Sequence, residues 1–172
     1  MTTIDLSWDN VFKYVDALAG DIHDSNPSWH PDRIVAVARG GLIPATLLSH
    51  RLSIDRVDAL NVRFGHQYVN SVYDIFINSA DTSDRILVVD DIIDSGTTFE
   101  RLWRDGRELC EHRRMLDTWH FQVKFAALIH NTKAVTTISP HYAGCRFEKD
   151  ADEWVVFPWE TDISTKRKQA NQ

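Results

Sequence analysis

The sequence predicts an α/β fold in which a central, mainly parallel sheet is flanked by helices. Three observations point to it. Apolar runs recur at 34–38 (IVAVA), 86–89 (ILVV) and, within the strand 123–129 (VKFAALI), at 125–129, and runs without alternation mark strands covered on both faces. Stretches with helical spacing separate these runs, and a strand–helix–strand order favours parallel pairing. Glycines, carboxylates and hydroxyls gather just after the runs, and ligands of such sheets sit at the carboxyl ends of strands.

Taken in order, Trp8, Val11, Phe12, Val15, Leu18, Ala19 and Ile22 form one apolar stripe of a helix, with Ser7 placed to cap it. The stripe gives way at Gly20 to a polar turn at Asn26, Pro27 and Ser28. The strand IVAVA leads through Arg39, Gly40 and Gly41 into LIPATLLSHRL (42–52), a helix whose Pro44 is tolerated in a first turn. Residues 57–62 read as a strand. The stretch 69–77 is open between a strand and a mobile excursion that could serve an interface. After the strand 86–89, Phe99, Leu102, Trp103, Leu109 and Cys110 mark a helix. Strands follow at 123–129, as a short piece within 135–145, and at 154–157, where Pro158 ends it. This gives one domain over 1–163 and a polar, frayed tail over 164–172.

Composition narrows the partners. A chain of 172 residues fits one ordinary domain. No apolar run approaches bilayer length and the first 22 residues lack a signal-peptide layout, so the expected setting is cytoplasmic, without a membrane. Cys110 and Cys145 lack metal-ligand spacing and read as reduced thiols. A formal charge of −6 argues against nucleic acid as a partner. Any polyphosphate ligand must then be held by amide nests, a few placed bases and a divalent cation.

The segment ILVVDDIIDSGTT (86–98) is the most informative. Asp90 and Asp91 alternate to opposite sides near a strand end, where carboxylates are natural acceptors for ribose hydroxyls. Asp94 adds a third acid. Gly96 permits backbone angles closed to other residues. Ser95, Thr97 and Thr98 set hydroxyls beside the free amides of a helix start, an anion site. A plainer reading makes Thr97 the cap and Glu100 its partner in a capping box. Two further strand ends carry candidates. Arg39, Gly40 and Gly41 offer a charge and close-approaching amides to an anion, although paired glycines also make ordinary tight turns. Lys133 follows the strand 123–129 and reads either as a donor to a base carbonyl or as a solvated loop lysine. In DEWVVFPWE (152–160), Trp154 and Trp159 read plainly as aromatics of an edge strand packed into the core.

VVDDIIDSGTT resembles the phosphoribosyl-diphosphate (PRPP) signature of type I phosphoribosyltransferases, and the likeness extends over about 8–160. Within that family it is most similar to the microbial xanthine, guanine and hypoxanthine enzymes. The resemblance implies the type I fold with a small hood region, and transfer of 5-phosphoribosyl from PRPP to a 6-oxopurine in purine salvage, with release of pyrophosphate. It implies Asp90 and Asp91 on the ribose, with Asp91 on Mg2+, and Asp94 as the catalytic proton partner of the purine. Asp94, Ser95, Gly96, Thr97 and Thr98 would then surround the 5-phosphate. Ala38, Arg39, Gly40 and Gly41 become the pyrophosphate loop, where a cis peptide is common. Lys133, Trp154 and Val155 become purine contacts, within a base-site hood over 133–160. A homodimer or higher homo-oligomer is implied as well.

One departure from the pattern is plain. Family members carry a closing loop, often with a basic residue against pyrophosphate, yet residues 64–84 contain no Lys or Arg. Arg63 stands at the edge of this hood (63–84), and His66 or Tyr68 is a candidate substitute within it. The alternative function is therefore a regulatory or nucleotide-sensing protein with the same fold and little turnover.

Overall fold

The computed structural model describes residues 2–25, 28–62, 75–76, 84–112 and 120–160. The elements in chain order are β1 (Thr2–Asp5), α1 (Trp8–Ser25), β2 (Arg33–Ala38), α2 (Leu42–Leu52) and β3 (Val57–Asn61). They continue with β4 (Ile86–Ile93), α3 (Thr97–His112), β5 (Val123–Asn131), β6 (Tyr142–Phe147) and β7 (Glu153–Val156). Five strands form one sheet in the order β3-β2-β4-β5-β6, and every neighbouring pair is parallel. The expected parallel sheet is thus present, with β4 at its centre.

Alternation along β4 explains the two-sided core. Leu87 and Val89 join Val11, Val15 and Leu18 of α1 and Ala45 and Leu48 of α2 on one face. Ile86 and Val88 join Phe99 and Leu102 of α3 on the other. Each fully buried side chain of this size contributes roughly 1.5–3 kcal/mol by leaving water. Within α1 the buried residues are Val11, Val15, Leu18 and Ile22, the inner part of the expected stripe. Trp8 and Phe12 lie on its rim, half exposed and stacked on each other at 5.8 Å. Ser7 caps the helix reciprocally: its hydroxyl accepts the Asn10 N–H at 3.2 Å, and the Asn10 amide oxygen accepts the Ser7 N–H at 3.0 Å.

Three boundaries differ from expectation. β4 runs on to Ile93, so the two adjacent carboxylates lie on the strand rather than after it. The short strand expected within 135–145 is β6, which begins only at Tyr142 and extends to Phe147. β1 was not foreseen; it pairs in parallel with β7, with Trp154 opposite Thr3, as a separate two-stranded sheet. Its four residues, TTID, carry no apolar run, and their partner lies at the far end of the described chain. Of the undecided stretch 69–77, Ile75 and Phe76 are described, and both are buried in the second core. The remainder of that stretch, with Arg63, His66, Tyr68 and the tail 164–172, lies outside the described residues.

Candidate active site

The sheet delivers four chain segments to one rim. At the end of β4, Asp90 lines a cavity of about 110 Å³ together with the run from Ile92 to Phe99. Asp91 turns the other way, as strand alternation requires, and its carboxylate lies against Gly40. The Asp91 N–H donates to Asp90 Oδ1 at 2.9 Å, and the Ile92 N–H donates to Asp91 Oδ1 at 2.7 Å. Burial pushes the Asp90 carboxyl well above the usual carboxylate range, and the neighbouring Asp91 charge adds to the effect. Burial also raises Asp91; the Ile92 N–H opposes that, and the charge of Glu160 reinforces it. Two crowded, poorly solvated acids gain from hydroxyl donors or from a cation. The donor set therefore fits a divalent ion whose remaining ligands come from a substrate. Among the described residues no cluster of three or more His, Cys, Asp or Glu could hold a metal by itself.

Below Asp90 the chain turns into α3. Gly96 adopts a positive φ of 79°, which favours glycine. The Ser95 and Thr97 hydroxyls are 3.0 Å apart, beside the first amides of the helix, which have no intrahelical acceptor. The capping-box alternative does not hold. Thr97 is already the first helical residue, and Glu100 faces away from it. One carboxylate oxygen of Glu100 accepts from the Thr136 hydroxyl at 2.9 Å, the Thr137 N–H at 2.7 Å and the Thr137 hydroxyl at 3.0 Å. These bonds hold the Glu100 carboxyl below its ordinary range. The Thr97 N–H donates to the Ser95 hydroxyl at 3.5 Å, and Glu100 anchors the β5–β6 connection.

At the end of β2 the Ala38–Arg39 peptide is cis. Gly41 caps α2 without a side-chain bond. A Cβ at Gly41 would run into the Val89 carbonyl oxygen, and would lie 2.8 Å from the Val37 oxygen and 3.0 Å from Asp90 Cα. Backbone therefore packs on backbone here, and the loop of Arg39, Gly40 and Gly41 is seated directly on β4 beside the two acids. Glycine is the residue that close approach demands.

Asp94 is half exposed, and one of its oxygens is doubly held. Oδ1 forms an ion pair with Lys149 Nζ at 3.0 Å and accepts a hydrogen bond from Asn131 Nδ2 at 3.2 Å. Lys149 is 4% exposed and Asn131 5%. Neither was among the sequence candidates. Lys149 carried no signal, because a lysine in EKDADE reads as a solvated turn. Asn131 closes β5, and its amide oxygen accepts the N–H groups of Lys133 at 3.1 Å and Lys149 at 2.9 Å.

The expected base contacts are more dispersed. The Lys133 ammonium faces Asp150 at 2.7 Å and Glu148 at 3.6 Å, on the surface. Trp154 is half exposed on β7, whereas Val155 beside it is buried. Trp159 packs on Phe157 with centroids 4.6 Å apart, in keeping with its reading as a packed aromatic. Neither Lys133, Trp154 nor Arg39 lines the cavity formed by Asp90 and 92–99. No helix among the described residues is long and apolar enough to cross a membrane.

Comparison with known proteins fits this geometry. A family model described as the phosphoribosyl transferase domain matches residues 6–165. A xanthine-guanine phosphoribosyltransferase of Cereibacter sphaeroides is 28% identical over 162 residues, covering 90% of this chain and 85% of that protein. Among solved structures, a purine phosphoribosyltransferase from Pyrococcus horikoshii superimposes with a TM-score of 0.62 at 27% identity, covering 92% and 94% of the two chains. A Neisseria gonorrhoeae protein solved with bound ppGpp gives a TM-score of 0.67 at 22% identity, covering 99% and 98%, and shares the fold.

Proposed function

The chain belongs to the phosphoribosyltransferase family, and from that premise we propose that it transfers the 5-phosphoribosyl group of PRPP to a 6-oxopurine, releasing pyrophosphate. Xanthine, guanine and hypoxanthine are the acceptors in view, and purine salvage is the corresponding role. The observation that carries this reading is the succession of groups along one rim. An anion cradle at the start of α3 adjoins the acid pair. The acid pair adjoins the glycine loop on one side, and Asp94 leads towards Trp154 on the other.

The chemistry follows from that order. The ribose is cation-like at the transition state, so the enzyme must hold the leaving group, the sugar and the attacking base in line. Ser95, Gly96, Thr97 and Thr98 would hold the 5-phosphate at the α3 N-terminus. Asp90 and Asp91 would accept from the ribose hydroxyls. Magnesium accompanying PRPP would rest on Asp91, and when bound it supplies charge neutralisation for the departing pyrophosphate. Arg39 and the amides of Gly40 and Gly41, with Ala38 before them, would receive that pyrophosphate. Asp94 would accept an N–H of the purine imidazole edge. Trp154 would stack on the base and the Val155 main chain would meet its rim. Lys133 would reach a 6-oxo group by leaving Asp150 and Glu148, and exposed ion pairs of that kind hold weakly. The hood over 63–84, the base-site hood over 133–160 and a homo-oligomer belong to the same proposal.

A panel of purines with PRPP and magnesium tests it, with nucleotide and pyrophosphate as the readouts. Turnover with a 6-oxopurine is expected. Tight nucleotide binding without turnover on any base would favour the regulatory reading, which the absence of Lys and Arg from 64–84 supports.

A further inference from the structure

We propose that Lys149 is a positioning residue that ties Asp94 to the strand bearing Trp154, and so sets the gap in which the acceptor base is held. The proposal rests on the reading of Asp94 and Trp154 given above. The Lys149 ammonium meets three oxygens, two carbonyls by hydrogen bonds and the Asp94 carboxylate as an ion pair. Nζ lies 3.0 Å from Asp94 Oδ1, 3.2 Å from the Asp150 carbonyl and 2.9 Å from the Glu153 carbonyl. Glu153 begins β7 and directly precedes Trp154. One buried charge thus spans the proton partner and the start of the stacking strand.

Asn131 fixes that charge from behind. Its Oδ1 accepts the Lys149 N–H at 2.9 Å, its Nδ2 donates to the Lys149 carbonyl at 3.2 Å, and the same Nδ2 reaches Asp94 Oδ1 at 3.2 Å. Lys149 is therefore gripped by both its main chain and its head group. Buried and surrounded by these oxygens, its ammonium is occupied within the protein, which separates its role from that of a base-reading group. The consequence falls on Asp94. Two donors hold Oδ1, and among the described residues no partner engages Oδ2. A carboxylate oxygen is an acceptor for N–H donors. Oδ2 therefore selects a ligand edge that presents N–H, and disfavours one that presents only a bare ring nitrogen.

A double-mutant cycle tests the proposal, using Asp94→Asn and Lys149→Met in the full chain. Lys149→Met should lower kcat/KM for the purine by about 30-fold or more while moving KM for PRPP less than about threefold. In the Asp94→Asn background the same change should cost less than about threefold, because the group it positions is gone. Asn131→Ser keeps the ammonium and loosens its seat, and should give an intermediate loss of about five- to tenfold. It also serves where Lys149→Met fails to fold. Equal losses in both backgrounds, or parallel losses for purine and PRPP, would mean that Lys149 only supports the turn and would overturn the proposal. If the wild-type protein turns over no purine, the reading of function fails instead. The cycle is then measured in dissociation constants for GMP, where additivity again overturns the coupling.

Discussion

The two halves of the rim are built by opposite means. Around the β2–α2 loop the backbone is closely packed, with Gly41 against the Val89 and Val37 carbonyls and Gly40 against the Asp91 carboxylate. Around Asp94 long side chains bridge the gaps, with Lys149 and Asn131 holding Asp94 and Lys133 held by surface acids. Gly41 in the first half has no room for an added atom, whereas the second half can be retuned one bond at a time.

Several changes would break or sharpen the contrast. The largest effect is expected at Gly41→Ala. Its new methyl meets backbone that cannot rotate away, so we expect loss of kcat/KM beyond about 100-fold and destabilisation of about 1–3 kcal/mol from overpacking, read by steady-state assay and urea unfolding. Gly40→Ala meets the Asp91 side chain, which can swing aside, so its stability cost should be smaller even though displacing Asp91 lowers activity; equal destabilisation at both glycines would erase the distinction. Next comes Asp94→Asn, for which a loss of about 100-fold in kcat is expected if Asp94 handles a proton, with KM for PRPP little changed. Retention of full activity would remove it from the chemistry.

Trp154→Ala should weaken purine affinity by about 1–3 kcal/mol through lost stacking, yet leave the unfolding midpoint nearly unmoved, since the ring is half exposed. A large stability loss with unchanged KM would instead make Trp154 a packing residue.

The smallest effect lies away from the rim. His141 Nδ1 accepts the Phe125 N–H at 3.0 Å, and burial, aided by the Lys124 charge, lowers the pKa of the ring below its ordinary value. The fold thus prefers the neutral ring. Stability from this contact is complete above about pH 6.5, the unfolded value, and declines as the unfolded chain takes up the proton below it. The Tm should fall between pH 6.5 and 5, and less so in His141→Gln.

The same contrast explains what could be read from sequence. The glycine loop, the acid pair and the hydroxyl run are contiguous, and each follows an apolar strand, so local pattern reveals them. Asn131, Lys149 and Asp94 meet only because β4 and β5 are neighbours and the β6–β7 turn folds back over them. No spacing rule marks a lysine between acids as buried. Lys133 had the more conspicuous position after β5, yet its ammonium faces solvent-side carboxylates. β1 escaped notice for a related reason: a four-residue polar strand is specified by β7, not by its own composition.

One pairing also bears on which amino-acid changes are open to the protein. A Cβ at Gly96 would collide with Thr136 Oγ1, and the positive φ of 79° disfavours a side chain there independently. Trimming Thr136 to alanine would remove Oγ1 and Cγ2 but leave its Cβ 2.4 Å from the added atom, release one of the three bonds on Glu100 and leave the backbone angle as it was. No single compensating substitution at 136 therefore opens position 96. The two sites are epistatic in one direction: Thr136 can drift while Gly96 stays, but Gly96 cannot leave first.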